Sequence, residues 1–250
     1  MKKLALLTAA LIASPAMAAD VTPDVIFGSG NANGSFTVDQ NISVELGLRA
    51  KLRHGPTGAP ANVFNYDGTD TYYFVAGVAP TQSFPTAEWS FEWSINSDFD
   101  GSTGWTLGDL TYELAMTSDV GTSITAFDPI NAFNPGTGSV QWDHAMGDNS
   151  TGNGAGVSIS NGVSDAAGYA TNIGSLNVAQ NSWKPHWFTP GFNPNAVGNY
   201  DFTLKAFTQG FLGRVEVAST SMTVQVVPTP AAFGAGLIGM AAVLLRRRSA

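Results

Sequence analysis

Over residues 41–52 every second position is apolar: Ile42, Val44, Leu46, Leu48, Ala50 and Leu52 alternate with Ser43, Glu45, Gly47, Arg49 and Lys51. A period of two puts successive side chains on opposite faces, so this segment predicts a strand with one buried and one wetted face. Residues 88–95 repeat the pattern with aromatics, setting Trp89, Phe91, Trp93 and Ile95 against Glu88, Ser90, Glu92 and Ser94. Leu110, Tyr112, Leu114 and Met116 alternate with Thr111, Glu113, Ala115 and Thr117. Tyr200, Phe202, Leu204 and Ala206 alternate with Asp201, Thr203 and Lys205, and Met222, Val224 and Val226 with Ser221, Thr223 and Gln225. Shorter strands are predicted at 25–27, 35–38, 71–76 and 212–218, each bounded by Gly, Pro, Asn or Asp.

No comparable helical period interrupts these strands. Parallel sheets bury both faces and read as continuous apolar runs, whereas strands with one polar side suit antiparallel sheets packed face to face. The predicted fold is therefore all-β: an antiparallel β-sandwich of jelly-roll type, occupying residues 19–226. Gly210 and Phe211, with Gly213 close by, predict a hairpin turn between the strand from Tyr200 and the one through Val217. The last strand, 220–227, leads straight into the chain's tail, which is expected to leave from a sheet edge or corner. Residues 118–181 lose the alternation and are rich in Gly, Asn, Ser and Asp, which predicts either functional loops or short edge strands between large loops.

Beyond the last strand stand Val227, Pro228, Thr229 and Pro230, an apolar run over 231–245, and Arg246, Arg247 and Arg248. The prolines fix φ and lack N–H groups, so they break the chain before a fresh helix can begin. At 1.5 Å per residue the run would cover only about 22 Å, short of a ~30 Å hydrocarbon core. Arginines after it would stay on the cytoplasmic side, with everything upstream outside. This three-part order resembles the PEP-CTERM class of bacterial sorting signals, with Thr229 where the family motif usually carries Glu, as in variant signals of the class. The resemblance covers only residues 227–250. It implies a transient inner-membrane helix, recognition and removal of the tail by an exosortase, and delivery to the cell surface or extracellular matrix. An ordinary carboxy-terminal anchor or a buried helix would also fit a short apolar run.

The other end agrees with export. Lys2 and Lys3 precede an apolar stretch over 4–12, and Ala16-Met17-Ala18 forms an A-x-A site, so residues 1–18 are expected to be a signal peptide cut before Ala19 by signal peptidase.

Charge sharpens the picture once these segments are set aside. Two of the 11 basic residues lie in the leader and three in the tail, leaving six against 19 acidic ones, a balance of −13. Such a surface repels nucleic acid, which needs clustered Lys and Arg. The nearest approach is Arg49, Lys51 and Arg53 on one strand face, read as a solvated sheet face. An exported chain with no cysteine cannot use disulfides, so the fold must rest on an apolar core.

Candidate chemistry is sparse. Asn96, Asp98 and Asp100 before Gly101 space three oxygen side chains as the first half of a calcium loop would, but Leu107 stands where a closing Glu is needed. An Asp/Asn-rich turn is the competing reading, and Asp67-Gly68-Thr69-Asp70 reads as a hairpin turn. His54, His144 and His186 show no metal-pair spacing, and only Asp143, His144 and Asp148 bring acid and His together. Trp183 and Trp187, with His186 and Phe188 between Pro185 and Pro190, form an aromatic segment suited either to stacking on sugar rings or to closing one end of the core. Glu88 and Glu92 would sit about 13 Å apart by strand rise, too far for a glycosidase pair. The expected function is a noncatalytic structural or adhesive surface protein in a polysaccharide matrix, needing no cofactor. A secreted lectin or carbohydrate-active enzyme is the alternative.

Overall fold

A computed structural model describes residues 34–61, 63–130, 133–134, 139–140, 144–152, 154–158, 165–211 and 213–229. The expected leader with its Ala16, Ala18 and Ala19 site, the strand expected at 25–27, Asp143, Pro230 and the tail with Arg246, Arg247 and Arg248 lie outside these residues. Among the described residues no helix is long and apolar enough to cross a membrane.

Among the described residues thirteen strands run in chain order: β1 (Thr37–Asn41), β2 (Val44–Leu52), β3 (Thr71–Val75), β4 (Trp89–Asn96), β5 (Thr111–Ser118), β6 (Ile124–Phe127), β7 (Phe133–Asn134), β8 (Ser139–Val140), β9 (Ala145–Gly147), β10 (Val157–Ser158), β11 (Val178–Trp183), β12 (Gly198–Gly210) and β13 (Gly213–Val227). They build one sheet in the order β1-β2-β4-β11-β9-β10 and a second in the order β3-β13-β12-β5-β6, while β7 and β8 pair by themselves. The expected sandwich is present. Its pairs are antiparallel save one, because β3 runs parallel to β13.

The alternating apolar residues meet between the two sheets. Trp89 of β4 lies 5.5 Å from Tyr200 and 6.3 Å from Phe202 of β12, and 6.1 Å from Phe74 of β3, ring centre to ring centre. Phe91 approaches Phe202 to 4.8 Å. Leu46, Leu48, Tyr112, Leu114, Met116 and Val224 fill the same core and are fully or almost fully buried. Each such side chain contributes about 1.5–3 kcal/mol by leaving water, which is how a chain without disulfides holds two sheets together.

Four local expectations are corrected. The strand predicted from Asn41 begins at Val44, because Asn41 pairs with Val44 and leaves Ile42 and Ser43 as a two-residue turn with φ of 46° and 66°. Ile42 is consequently exposed rather than part of the core. The tail-bearing strand β13 is not at the sheet edge but lies between β3 and β12, and the predicted strands 212–218 and 220–227 fuse within it. The low-regularity stretch 118–181 holds short strands, as one of its two readings allowed, but among the described residues it also holds a helix that was not expected, α1 (Ala166–Ile173), whose Asp165 caps it by accepting from the Gly168 N–H. Its eight residues were too few to register as a helical period.

The fourth correction concerns the outer face of the first sheet. Glu45, Arg49, Lys51, Ser90, Glu92 and Ser94 were expected to meet water, yet all are buried, and Gln180 of β11 is buried beside them. Pairing makes this tolerable. Arg49 Nε meets Glu92 Oε2 at 2.5 Å and Lys51 Nζ meets Glu92 Oε1 at 2.8 Å. Gln180 donates to Ser94 Oγ at 3.0 Å, and Ser90 and Ser182 exchange a hydrogen bond at 3.3 Å.

Candidate functional site

Two corners of the sandwich gather polar side chains, one at each end of β4. At its carboxy-terminal end, Asn96 closes the strand and Asp98 and Asp100 occupy the following turn. Asp98 Oδ1 accepts from Ser43 Oγ at 2.6 Å, from the Thr103 N–H at 3.0 Å and from Thr103 Oγ1 at 2.9 Å, while Oδ2 accepts from the Gly104 N–H at 2.9 Å. Asp100 Oδ1 accepts from Ser43 Oγ and from the Ser102 N–H. Burial would push the Asp98 carboxyl up, but the Ser43 and Thr103 donors outweigh it and hold it below the ordinary range.

Asn96 turns its amide elsewhere, donating to Asn149 Oδ1 at 2.8 Å and accepting from the Asp98 N–H and from Asn177 Nδ2. The sequence-predicted oxygens are thus brought to one turn, with their lone pairs directed at protein donors. Among the described residues no group of three His, Asp or Glu side chains converges as a metal cage. Beside this turn lies an open cleft of 380 Å³ lined by Asp98, Trp105, Asp148, Asn149 and Asn177, among others. Asp148 spends its Oδ1 on the Ser150 N–H and the Ser150 hydroxyl, capping its own loop.

Further along the outer face, Glu92 is the centre of a buried trio. Burial alone would raise its carboxyl; Arg49 and Lys51 outweigh that and hold it below the usual range. The Arg49 guanidinium also lies over the rings of Phe36 and Phe64, at 4.1 and 4.6 Å, and donates to the Gly34 carbonyl at 2.6 Å. Glu88 accepts from the Val75 N–H at 2.9 Å and is pushed up by burial. Each of these two carboxylates is engaged in holding the fold.

The amino-terminal end of β4 carries the second corner. Because β2 and β11 both run antiparallel to β4, their carboxy-terminal ends flank it, and Arg53 and Lys184, the residues just past those ends, come to the same side of the sheet. Arg53 reaches across β4 to donate to Ser182 Oγ at 2.9 Å. The 3-10 turn Pro185–Trp187 follows Lys184 and sets the indole of Trp187 with the Arg53 guanidinium 6.0 Å and the Lys184 ammonium 5.6 Å from its ring centre. His54 and His186 join them. Burial pushes both imidazoles down, and Lys184 adds to the effect on each.

The aromatic segment is therefore split. Trp183 is fully buried and packs on Trp93, Phe91 and Phe188, so it closes the core and offers no face to a ligand. Trp187 is half-exposed at the basic corner. His144 is buried against Trp93 and Trp183, with its Nδ1 3.0 Å from Asn181 Nδ2. Sequence reasoning missed the meeting of Arg53, His54, Lys184 and His186, because 130 residues separate the pairs and only the order β2-β4-β11 brings them together. Comparison with family models, with curated proteins and with solved structures yields no match.

Proposed function

We propose that this chain is an exported, carboxy-terminally sorted protein of the cell surface or extracellular matrix, whose β-sandwich is a noncatalytic structural or adhesive module. The observation that carries this reading is the order of residues at the tail: Val-Pro-Thr-Pro from Val227, an apolar run, and Arg246 to Arg248. The fold supports it by position. Strand β13 ends at Val227, paired with Val75 and accepting from the Ala76 N–H at 2.8 Å, so Pro228 follows a fixed strand end with no intervening linker. A sorting enzyme would then act next to the folded domain, and the proline break would separate sheet from membrane helix.

The noncatalytic reading rests on how the acids are used. Glu92 neutralises two buried cations, Glu88 satisfies an N–H of β3, and Asp98 and Asp100 tie a turn. Intact-mass measurement of protein recovered from the producing cell's surface is the direct test. The expected species begins near Ala19 and ends close to Pro228 or Pro230. Surface material that keeps residues 246–248, or a reporter fused after Ser249 that lies outside the cell, would overturn the sorting model.

A further inference from the structure

We propose that the corner formed by Arg53, Lys184, His186 and Trp187 binds a saccharide bearing a single acidic group, with its carboxylate on the two cations and a sugar ring against the indole. Four of the six cations outside the leader and tail, Arg49, Lys51, Arg53 and Lys184, sit on one stretch of one sheet face in a chain that is otherwise strongly acidic. Arg49 and Lys51 are answered by Glu92. Arg53 and Lys184 are in no ion pair among the described residues, although burial, and then Arg53 itself, push the Lys184 ammonium down. The nearby acids are Glu92, which draws on Arg53 from beside Arg49 and Lys51, and Glu88, whose carbonyl accepts from the Arg53 and His54 N–H groups while its carboxylate accepts from the Val75 N–H.

Glu92 draws on Arg53 without touching it, but one carboxylate then serves Arg49, Lys51 and Arg53, so the corner keeps an excess of positive charge that an anion would offset. Two further polar atoms at this corner, His54 Nε2 and His186 Nδ1, are buried and have no hydrogen-bond partner among the described residues. With its Nδ1 against the Gly58 carbonyl, a neutral His54 keeps Nε2 as an acceptor, which suits a sugar hydroxyl rather than the carboxylate. Trp187 decides the class of anion. An indole flanked by two cations within about the usual cation–π reach presents an apolar face beside positive charge, which suits a sugar ring carrying a carboxylate. Nucleic acid fits less well: with a charge every ~1.7 Å it meets the repulsion of the whole acidic molecule, which a singly charged sugar largely escapes.

This inference takes from the surface-protein reading only where such a ligand would be met, and the binding assay on purified protein is independent of sorting. The purified full chain would be titrated by tryptophan fluorescence and calorimetry with cellobiouronic acid, cellobiose, inorganic sulfate and a short oligothymidylate. Cellobiouronic acid is expected to bind at least about tenfold more tightly than cellobiose, since a charge-assisted hydrogen bond is worth roughly that factor or more. Sulfate is expected to compete weakly, and the oligonucleotide not to bind. Lys184→Gln should weaken binding about tenfold and Trp187→Ala about fivefold. Arg53→Gln is the riskier variant for folding, so Lys184→Gln, on a half-exposed side chain, carries the test, with circular dichroism confirming the fold. Absent binding by the folded protein at 50 mM ligand, equal binding of cellobiose, tighter binding of the oligonucleotide, or an unaffected Lys184→Gln variant would each overturn the assignment.

Discussion

Glu92 shows what a single residue does in this sandwich. Its carboxylate lies fully buried between Arg49 and Lys51, so its removal leaves two cations in a low-dielectric layer without an answering charge. Breaking a buried pair from one side costs about 3–5 kcal/mol, whereas replacing the whole group by apolar side chains can be neutral. Glu92→Gln is therefore expected to lower stability by about 3–5 kcal/mol in denaturant unfolding, and a triple exchange of Glu92, Arg49 and Lys51 to Leu or Met to recover most of it. A Glu92→Gln protein as stable as the parent would show that water, not Glu92, balances these cations. The alternation of Arg49 and Lys51 with apolar residues was legible in the sequence, but their burial was not. That depends on Glu92 lying opposite Arg49 in the β2–β4 register and on Phe36 and Phe64 covering the guanidinium, and neither relation leaves a mark on local periodicity.

Among the elements, β13 makes the most consequential contacts. It pairs antiparallel with β12 along its whole length and parallel with β3, and its inward residues Met222, Val224 and Val226 enter the core. Thr223 donates its N–H to the Asp70 carbonyl at 2.9 Å. Proline there would remove that bond in a strand paired on both sides, at a cost of about 3 kcal/mol or more. Thr223→Pro is expected to lower the thermal unfolding midpoint sharply or prevent folding, while Thr229→Pro, past the strand end, should leave the midpoint unchanged. Equal effects at the two positions would contradict the placement of β13 inside its sheet. Strands such as β4, β5, β12 and β13 could be read from the sequence because their inner faces alternate over many residues. The two-residue turn at Ile42 could not, since Ile disfavours positive φ and imitates one more strand position. Strands of two or three residues, such as β9 and β10, and the eight-residue α1 are too short to carry a period.

At the scale of the molecule, composition announced a net charge of −13 outside the ends but not its unevenness, which arises only when the topology brings the ends of β2 and β11 together. The same unevenness sets the response to acid. His54 and His186 have folded values below the ordinary 6.5, so the native state favours their neutral forms, and stability is lost as pH falls from about 6.5 through those values. The groups facing them add to this: Lys184 opposes the charging of both imidazoles, Arg53 that of His54, and His54 that of His186. Asp98 and Glu92 have folded values below the ordinary 3.8 and 4.5, so their stabilisation is intact above those points and disappears only at lower pH. Glu88, pushed up by burial, works in the opposite sense near its own titration and softens the middle of the curve. Acid unfolding should accordingly proceed in two stages, a shallow loss of midpoint that sets in as pH falls below about 6.5 and a steep one below about pH 4. Thermal unfolding followed across pH 7 to 3 reads both. In a double His54→Gln, His186→Gln variant the first stage should flatten while the second stays, because the carboxylates of the opposite corner and of the buried trio are untouched. If the first stage persists unchanged in that variant, the basic corner does not bury its imidazoles in neutral form, and the acid response belongs to the carboxylates alone.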